Sequence, residues 1–76
     1  MANRMLSTLG MKCPRPLFEV HKQVRQMASG ELIEVAADDP AFKLDIEAWC
    51  RRTGHDLVSL DGQPDRIVAM IRKTDA

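Results

Sequence analysis

Two closely spaced prolines, Pro14 and Pro16, stand where a short apolar segment (residues 5–9) gives way to an amphipathic one (residues 17–28). This order predicts a strand, a tight turn and a helix. Because a residue before proline avoids the α region, we expect Cys13 to be extended, the backbone state of an N-cap. Pro14 then falls at the first helical position, and Pro16 lies in the first turn, where amide groups have no intrahelical acceptor.

Cys13 has the sequence surroundings of a reactive thiol. The positive end of the predicted helix dipole points at its sulfur, and Lys12 and Arg15 flank it. All three effects favour thiolate over thiol, and the two prolines limit the motion of the sulfur. The N–H groups of Cys13 and Arg15 remain as donors in this turn. We therefore predict a nucleophilic cysteine of low pKa. The alternative is a small buried apolar residue, the usual state of a free cysteine.

The remaining chain alternates between strand and helix patterns. Strands are predicted over residues 4–9, 31–37, 56–61 and 66–72, and helices over residues 14–27 and 40–53. Gly30 and Gly54 are expected to end the two helices, and Asp39 is expected to cap the second. Glycine and proline between the last two strands indicate a hairpin. The order is βαβαββ.

This order predicts an α+β fold, a two-layer α/β sandwich with a four-stranded mixed sheet. Right-handed crossovers would place both helices on one face of the sheet. Leu57, Val68 and Met70 are expected on the uncovered face, where they would form an apolar surface for a partner or a second copy. The alternative is that they are scattered surface residues.

The bulk composition excludes several classes of protein. Residues 1–76 are expected to form a single small domain. Eleven basic and eleven acidic side chains cancel, which argues against direct nucleic-acid binding through phosphate neutralisation. Two cysteines do not make a disulfide scaffold, and no apolar run has the length of a membrane span. With no signal-peptide pattern at the start, we expect a cytoplasmic protein.

Several other side chains have both a structural and a functional interpretation. Cys50 is expected to fill the core beside Trp49, and the alternative is a resolving thiol or a second sulfur site. A zinc site would need Cys13, Cys50 and two histidines (His21 and His55), and their spacing fits no familiar pattern. Helix capping and a solvated face explain three acidic residues better than a metal cluster does. These residues are Asp38, Asp39 and Asp45. We therefore expect no metal and no cofactor.

Six basic residues could form a rim around the helix ends that guides the docking of partner proteins. An ordinary solvated face explains these residues equally well. They are Lys12, Arg15, Lys22, Arg25, Arg51 and Arg52.

The stretch from Leu6 to Pro16, which ends in Cys-Pro-x-Pro, resembles the signature of the TusA/SirA-like family of small sulfur carriers. Further matching stretches cover nearly the whole chain. They are Ala37–Ala41 with Asp45-Ile46, Cys50-Arg51 and Thr53-Gly54-His55, and Asp61–Pro64 leading to Ile71–Lys73. The Cys-Pro-x-Pro segment is the most specific part of the likeness.

The resemblance implies a function in sulfur transfer. Cys13 would accept a sulfane sulfur as a persulfide from a donor such as a cysteine desulfurase and relay it to an acceptor protein. Pro14, Arg15, Pro16 and Lys12 would support it. The sulfur would end in tRNA 2-thiouridine, the molybdenum cofactor or a sulfur-oxidation pathway. Such a protein is a carrier with sulfurtransferase-like chemistry rather than a stand-alone enzyme, and we expect it to be a monomer.

The alternative function is a non-catalytic RNA- or protein-interaction module, because the expected fold resembles the C-terminal domain of a translation initiation factor. Zero net charge and only three aromatic residues argue against RNA binding. A thiol redox function is weaker still, since Cys13 has no neighbouring cysteine to resolve a disulfide.

Overall fold

The computed structural model describes residues 3–74, and its six elements follow the predicted order. They are β1 (Arg4–Ser7), α1 (Arg15–Val24), β2 (Leu32–Ala37), α2 (Phe42–Thr53), β3 (Asp56–Gly62) and β4 (Ile67–Arg72). None of the described helices is both long and apolar enough to cross a membrane.

The four strands form one mixed sheet with the order β1-β2-β4-β3. Strand β1 pairs in parallel with β2, and β4 runs antiparallel to its neighbours β2 and β3. The two helices contribute to a single apolar cluster on one face of this sheet. The predicted α+β sandwich is therefore confirmed.

Side-chain periodicity explains how the core is built. Strand β2 buries every second residue, Ile33, Val35 and Ala37, as a strand with one covered face must. The helices bury stripes at helical spacing, with Val20 and Val24 on α1. The stripe on α2 holds Phe42, Ile46, Trp49 and Cys50. Sequence periodicity therefore predicts the core of this protein well.

The uncovered face of the sheet differs from the prediction at Leu57. Leu57 pairs with the buried Ile71 and packs against the core. A shift in register between Leu57 and Ser59 inserts Val58 as an extra residue in β3. Because side chains alternate with a period of two, this bulge reverses the face of every residue before it. The prediction for Leu57 was therefore wrong.

Val68 and Met70 do lie on the uncovered face. Val68 lines a shallow groove there together with Met5, Ser7 and Glu34. Met70 pairs with Glu34 across the sheet and shares its face, since directly paired residues point to the same side.

Both helices are shorter than the sequence predicts. Helix α1 ends at Val24, because Gln26 and Met27 donate to carbonyls three residues back and tighten the chain into turns. Gly30 has a left-handed φ of 92°, but it lies in the connection to β2 rather than at the helix end. Gly54 ends α2 in the left-handed conformation, as predicted, and donates to the carbonyl of Cys50.

The stability of the fold should depend on pH through Cys50, which is 5% exposed. Burial, and secondarily the charge of Asp56, raise the pKa of Cys50 from 9.0 to about 11. Above pH 9.0 the unfolded chain therefore binds fewer protons at this thiol than the folded protein. The free energy of unfolding should fall as the pH rises from 9.0 to about 11, by about 2 kcal/mol.

This loss is measured by denaturant unfolding of the wild type and Cys50→Ala over that range of pH. Cys50→Ala loses the packing contribution of the thiol, and it also lacks the ionisation that destabilises the wild type at high pH. All other groups titrate alike in both proteins. The stability difference between them should narrow with rising pH. A constant difference would mean that the thiol titrates equally in both states.

Candidate functional site

The site lies at the edge of the sheet where two parallel strands end. The carboxyl ends of parallel neighbours meet at one edge, so the segment after β1 lies beside the segment after β2. The first segment contains Cys13, and the second contains Asp38 and Asp39. The topology therefore brings together a thiol and two carboxylates that are distant in sequence.

The first turn after β1 is anchored by Thr8 and Gly10. Thr8 is fully buried, and both its N–H and its hydroxyl donate to the carbonyl of Ala36, at 2.7 and 2.8 Å. Gly10 adopts a φ of 84°, a conformation that glycine reaches without a steric penalty. Its N–H donates to both carboxylate oxygens of Asp38, at 2.9 and 3.1 Å. The turn is thus attached both to β2 and to the segment that follows it.

Asp39 attaches the cysteine itself. The backbone N–H of Cys13 donates to Oδ2 of Asp39 at 2.7 Å, and the N–H of Ala41 donates to Oδ1 at 3.3 Å. Only 7% of Asp39 is exposed, so this carboxylate is a buried acceptor. A short hydrogen bond to a carboxylate is stronger than one between neutral groups. Cys13 is therefore held at its backbone, and its side chain is exposed.

Helix α1 begins one residue later than predicted. Pro14 is the N-cap and Arg15 the first helical residue, so the expected N-cap position of Cys13 was wrong. The N–H of Arg15 donates to the carbonyl of Lys12 at 2.9 Å and closes a turn ahead of the helix. The Cys13–Pro14 peptide bond inside this turn is cis. Since Asp39 and Lys12 occupy the N–H groups of Cys13 and Arg15, neither serves the sulfur as the sequence suggested.

The predicted low pKa of Cys13 is also wrong. The neighbouring carboxylate of Asp45 is the main cause of a raised pKa of Cys13, followed by desolvation and by the charge of Asp39. A neighbouring carboxylate disfavours a second negative charge, so it opposes ionisation of the thiol. Along the chain the charges next to Cys13 are the cations of Lys12 and Arg15, whereas the anions come close to it only through the fold.

The four supporting residues of the prediction surround Cys13 in different ways. Lys12, Pro14 and Arg15 are exposed, whereas Pro16 is buried in the first turn of α1. Pro16 thus anchors the helix start to the core. Lys12 and Arg15 leave their charges at the surface around the thiol.

An apolar groove begins beside the cysteine and runs between the two helices. Pro14, Leu17 and Phe18 line one side and Trp49 the other, with a volume of about 430 Å³. Phe18 is 64% exposed, which is unusual for so large an apolar side chain. Phe18 was not among the predicted site residues, although its position off the buried stripe of the helix could have indicated an exposed aromatic side chain.

The other candidates lie outside the site. Cys50 is buried in the core as predicted, and both cysteines are free thiols. His55 contacts the ring of Trp49 at a centroid distance of 5.4 Å and accepts a hydrogen bond from the N–H of Thr74. His21 is exposed on α1. Within residues 3–74 no group of three or more side chains is arranged to hold a metal ion.

The six basic residues of the predicted rim are all exposed. Lys22 is 3.5 Å from Glu19 on the same helix, a surface pair of small energetic value. Their exposure agrees equally with a docking rim and with an ordinary solvated face.

Asp39 and Asp45 lie near Cys13 in the fold, although the sequence predicted for them only helix capping and a solvated face. Asp39 is close to a cap, since its carbonyl accepts from the N–H of Phe42, but its side chain also bonds to Cys13. The signal was present in the predicted topology. Two parallel strands end in a cysteine segment and an Asp-Asp pair, and their carboxyl ends share an edge.

Similar proteins are found both among known families and among solved structures. The family model described as Sulfurtransferase TusA matches residues 4–73. Among solved structures, a SirA-like protein from Desulfitobacterium hafniense superposes with a TM-score of 0.80 at 18% sequence identity. The superposition covers 95% of this chain and 99% of that one, and at this identity it shows a common fold. Since the family match spans nearly the whole chain, the protein belongs to the TusA family.

Proposed function

We propose that this protein is a sulfur carrier that holds a sulfane sulfur on Cys13 as a persulfide and passes it between two larger proteins. One observation carries the proposal: the Cys13 side chain is exposed while its backbone is fixed to the buried Asp39. Exposure allows two different proteins to reach the same atom. The fixed backbone gives both of them the same geometry.

The proposed reaction is a transfer between sulfur atoms. The Cys13 sulfur attacks the terminal sulfur of a donor persulfide, and the S–S bond of the donor breaks. Its cysteine leaves as a thiolate and takes up the proton that Cys13 gives up. The terminal sulfur keeps its oxidation state, so no oxidant or reductant is consumed. A second transfer of the same kind delivers it to the acceptor.

We infer that the donor is an enzyme persulfide, as formed by a cysteine desulfurase. The acceptor would belong to one of the pathways that the family resemblance suggested, ending in tRNA 2-thiouridine, the molybdenum cofactor or sulfur oxidation. A reducing compartment such as the cytoplasm suits this function, because Cys13 must remain a free thiol between transfers. The partner supplies the remaining catalytic groups, so the protein acts as a carrier.

The proposal is tested by intact-mass spectrometry after incubation with a cysteine desulfurase and cysteine. We expect the wild type to gain the mass of one sulfur atom, and a reductant should remove it. Cys13→Ser should gain nothing, because an alcohol does not form a persulfide. Its thermal stability should match the wild type, since the Cys13 side chain is exposed.

Cys50→Ala is the matched control, because it removes the other thiol of the chain. It should load as the wild type does. Loading of Cys13→Ser together with failure of Cys50→Ala would assign the sulfur to the buried cysteine and contradict the proposal.

A further inference from the structure

We propose that His55 is a pH switch: its neutral ring ties the end of β4 to the end of α2, and protonation of the ring releases this tie. The switch lies at the other end of the strands from Cys13, yet its ring packs against one wall of the groove that begins beside the cysteine. It is a conformational device that does not depend on sulfur transfer, and it makes that wall of the groove sensitive to acid.

Residues 73–74, which we call the clasp, follow β4 and join the connections that leave both helices. On one side, Lys73 is fixed to the connection between α1 and β2 by three hydrogen bonds. The N–H of Gly30 donates to its carbonyl at 2.7 Å, and its own N–H donates to the carbonyl of Glu31 at 2.9 Å. Its ammonium group donates to the carbonyl of Met27 at 2.7 Å. The charge of Lys73 is therefore held in one place.

On the other side, Thr74 attaches the clasp to the end of α2 through His55. The N–H of Thr74 donates to Nδ1 of His55 at 3.1 Å, and its hydroxyl donates to the carbonyl of Gly54 at 3.0 Å. A backbone N–H can only donate, so Nδ1 is the unprotonated nitrogen and the ring proton lies on Nε2. A second proton would turn Nδ1 into a donor that faces another donor. The closed clasp therefore requires a neutral ring.

The charges around His55 also oppose its protonation. Burial and the charge of Lys73 lower the pKa of His55, and the charge of His21 acts in the same direction. Asp56 acts the other way, but its carboxylate lies 3.5 Å from the guanidinium of Arg72, which offsets part of its charge. A protonated ring would thus lose its hydrogen bond and face a fixed cation at the same time. Protonation and the closed clasp exclude each other.

The ring of His55 connects the clasp to the groove. Its centroid lies 5.4 Å from that of Trp49, with the two planes tilted by 36°. Trp49 forms one wall of the groove, and Thr53, whose hydroxyl donates to the carbonyl of Trp49 at 2.8 Å, lies beside it. When the ring leaves Thr74, the last turn of α2 loses its tie to β4 and Trp49 loses its fixed neighbour. Protonation of His55 therefore loosens the wall that Trp49 provides.

The test is a pH titration from about pH 8 to about pH 4.5 with two readouts. One is the fluorescence of Trp49, the single tryptophan of the chain, and the other is the NMR signal of the Thr74 amide. In the wild type we expect both to change together with the ring signals of His55. Because its pKa is lowered in the folded protein, the midpoint should lie below 6.5, the value of an exposed histidine. The tie should be complete above pH 6.5 and lost as the pH falls through that midpoint.

Three variants separate the switch from other effects of pH. His55→Asn places an amide oxygen near the position of Nδ1 but does not titrate, so both readouts should stay flat. Thr74→Pro removes the N–H donor, and its Trp49 fluorescence should resemble that of the acid form at every pH. His21→Gln is the matched control, because it removes the other histidine of the chain. It should keep the transition and move it slightly to higher pH, since one nearby cation is gone.

Three results would overturn the proposal. A transition in His55→Asn like that of the wild type would assign the pH dependence to another group. A Thr74 signal that stays constant while His55 titrates would show that the ring does not hold the clasp, and a constant Trp49 signal would show that the groove does not respond. A wild-type midpoint at or above 6.5 would contradict the switch even if His55→Asn failed to fold.

Discussion

Asp39→Ala is expected to lower the free energy of unfolding by about 2–3 kcal/mol, because it leaves two N–H groups without their acceptor. Those groups belong to Cys13 and Ala41, and the carboxylate that serves them is 7% exposed. Sulfur uptake by Cys13 should also slow, since the backbone of the cysteine loses its anchor. Urea unfolding and the loading assay measure the two effects.

The neighbouring carboxylate provides a matched control. Asp38 is exposed and accepts from the N–H of Gly10, so water can replace it. Asp38→Ala should lower the free energy of unfolding by less than about 1 kcal/mol. Asp39→Asn keeps one oxygen acceptor and should lie between the two. Equal losses for Asp38→Ala and Asp39→Ala would contradict the view that the buried carboxylate anchors the site.

Phe42→Ala is expected to lower the free energy of unfolding by about 3–5 kcal/mol, the usual loss for a buried phenylalanine. Phe42 is 1% exposed and belongs to the cluster that joins both helices to the sheet. A chain of 76 residues has a total stability of roughly 4–11 kcal/mol. The variant should therefore lose a large share of its stability, which denaturant titration followed by circular dichroism would detect as a lower midpoint of unfolding.

Leu44→Ala on the same helix is the control for Phe42→Ala. Leu44 is 71% exposed, so its replacement by alanine should change the stability by no more than about 0.5 kcal/mol. A small loss for Phe42→Ala, similar to that of Leu44→Ala, would mean that the core closes around the vacated volume.

The parts of the fold that sequence predicts are those set by local patterns. The stripe of Ile46 and Trp49 and the alternation of Ile33 and Val35 reveal the buried faces directly, because their periods of 3.6 and 2 match helix and strand. The bulge at Val58 does not follow from such a pattern. Its extra residue is defined by pairing with β4, so the face of Leu57 could be determined only from the folded sheet.

The candidate site divides in the same way. Cys13 was identifiable from its own segment, since a cysteine directly before two closely spaced prolines at a helix start is a local feature. The ionisation of Cys13 could not be predicted from that segment. The carboxylates that raise its pKa belong to Asp39 and Asp45, which lie 26 and 32 positions later in the chain. Local charge favoured the thiolate, and the fold reverses that preference.

The anchoring of Cys13 by Asp39 also has a consequence during synthesis of the chain. During synthesis β1 and α1 leave the ribosome before the acidic segment after β2 has emerged, so the early polypeptide displays its thiol on a loop that Asp39 does not yet hold. The anchored geometry arises only once β2 has joined β1 and Asp39 has reached the amide of Cys13. Partners that recognise this geometry would thereby distinguish finished molecules from nascent ones.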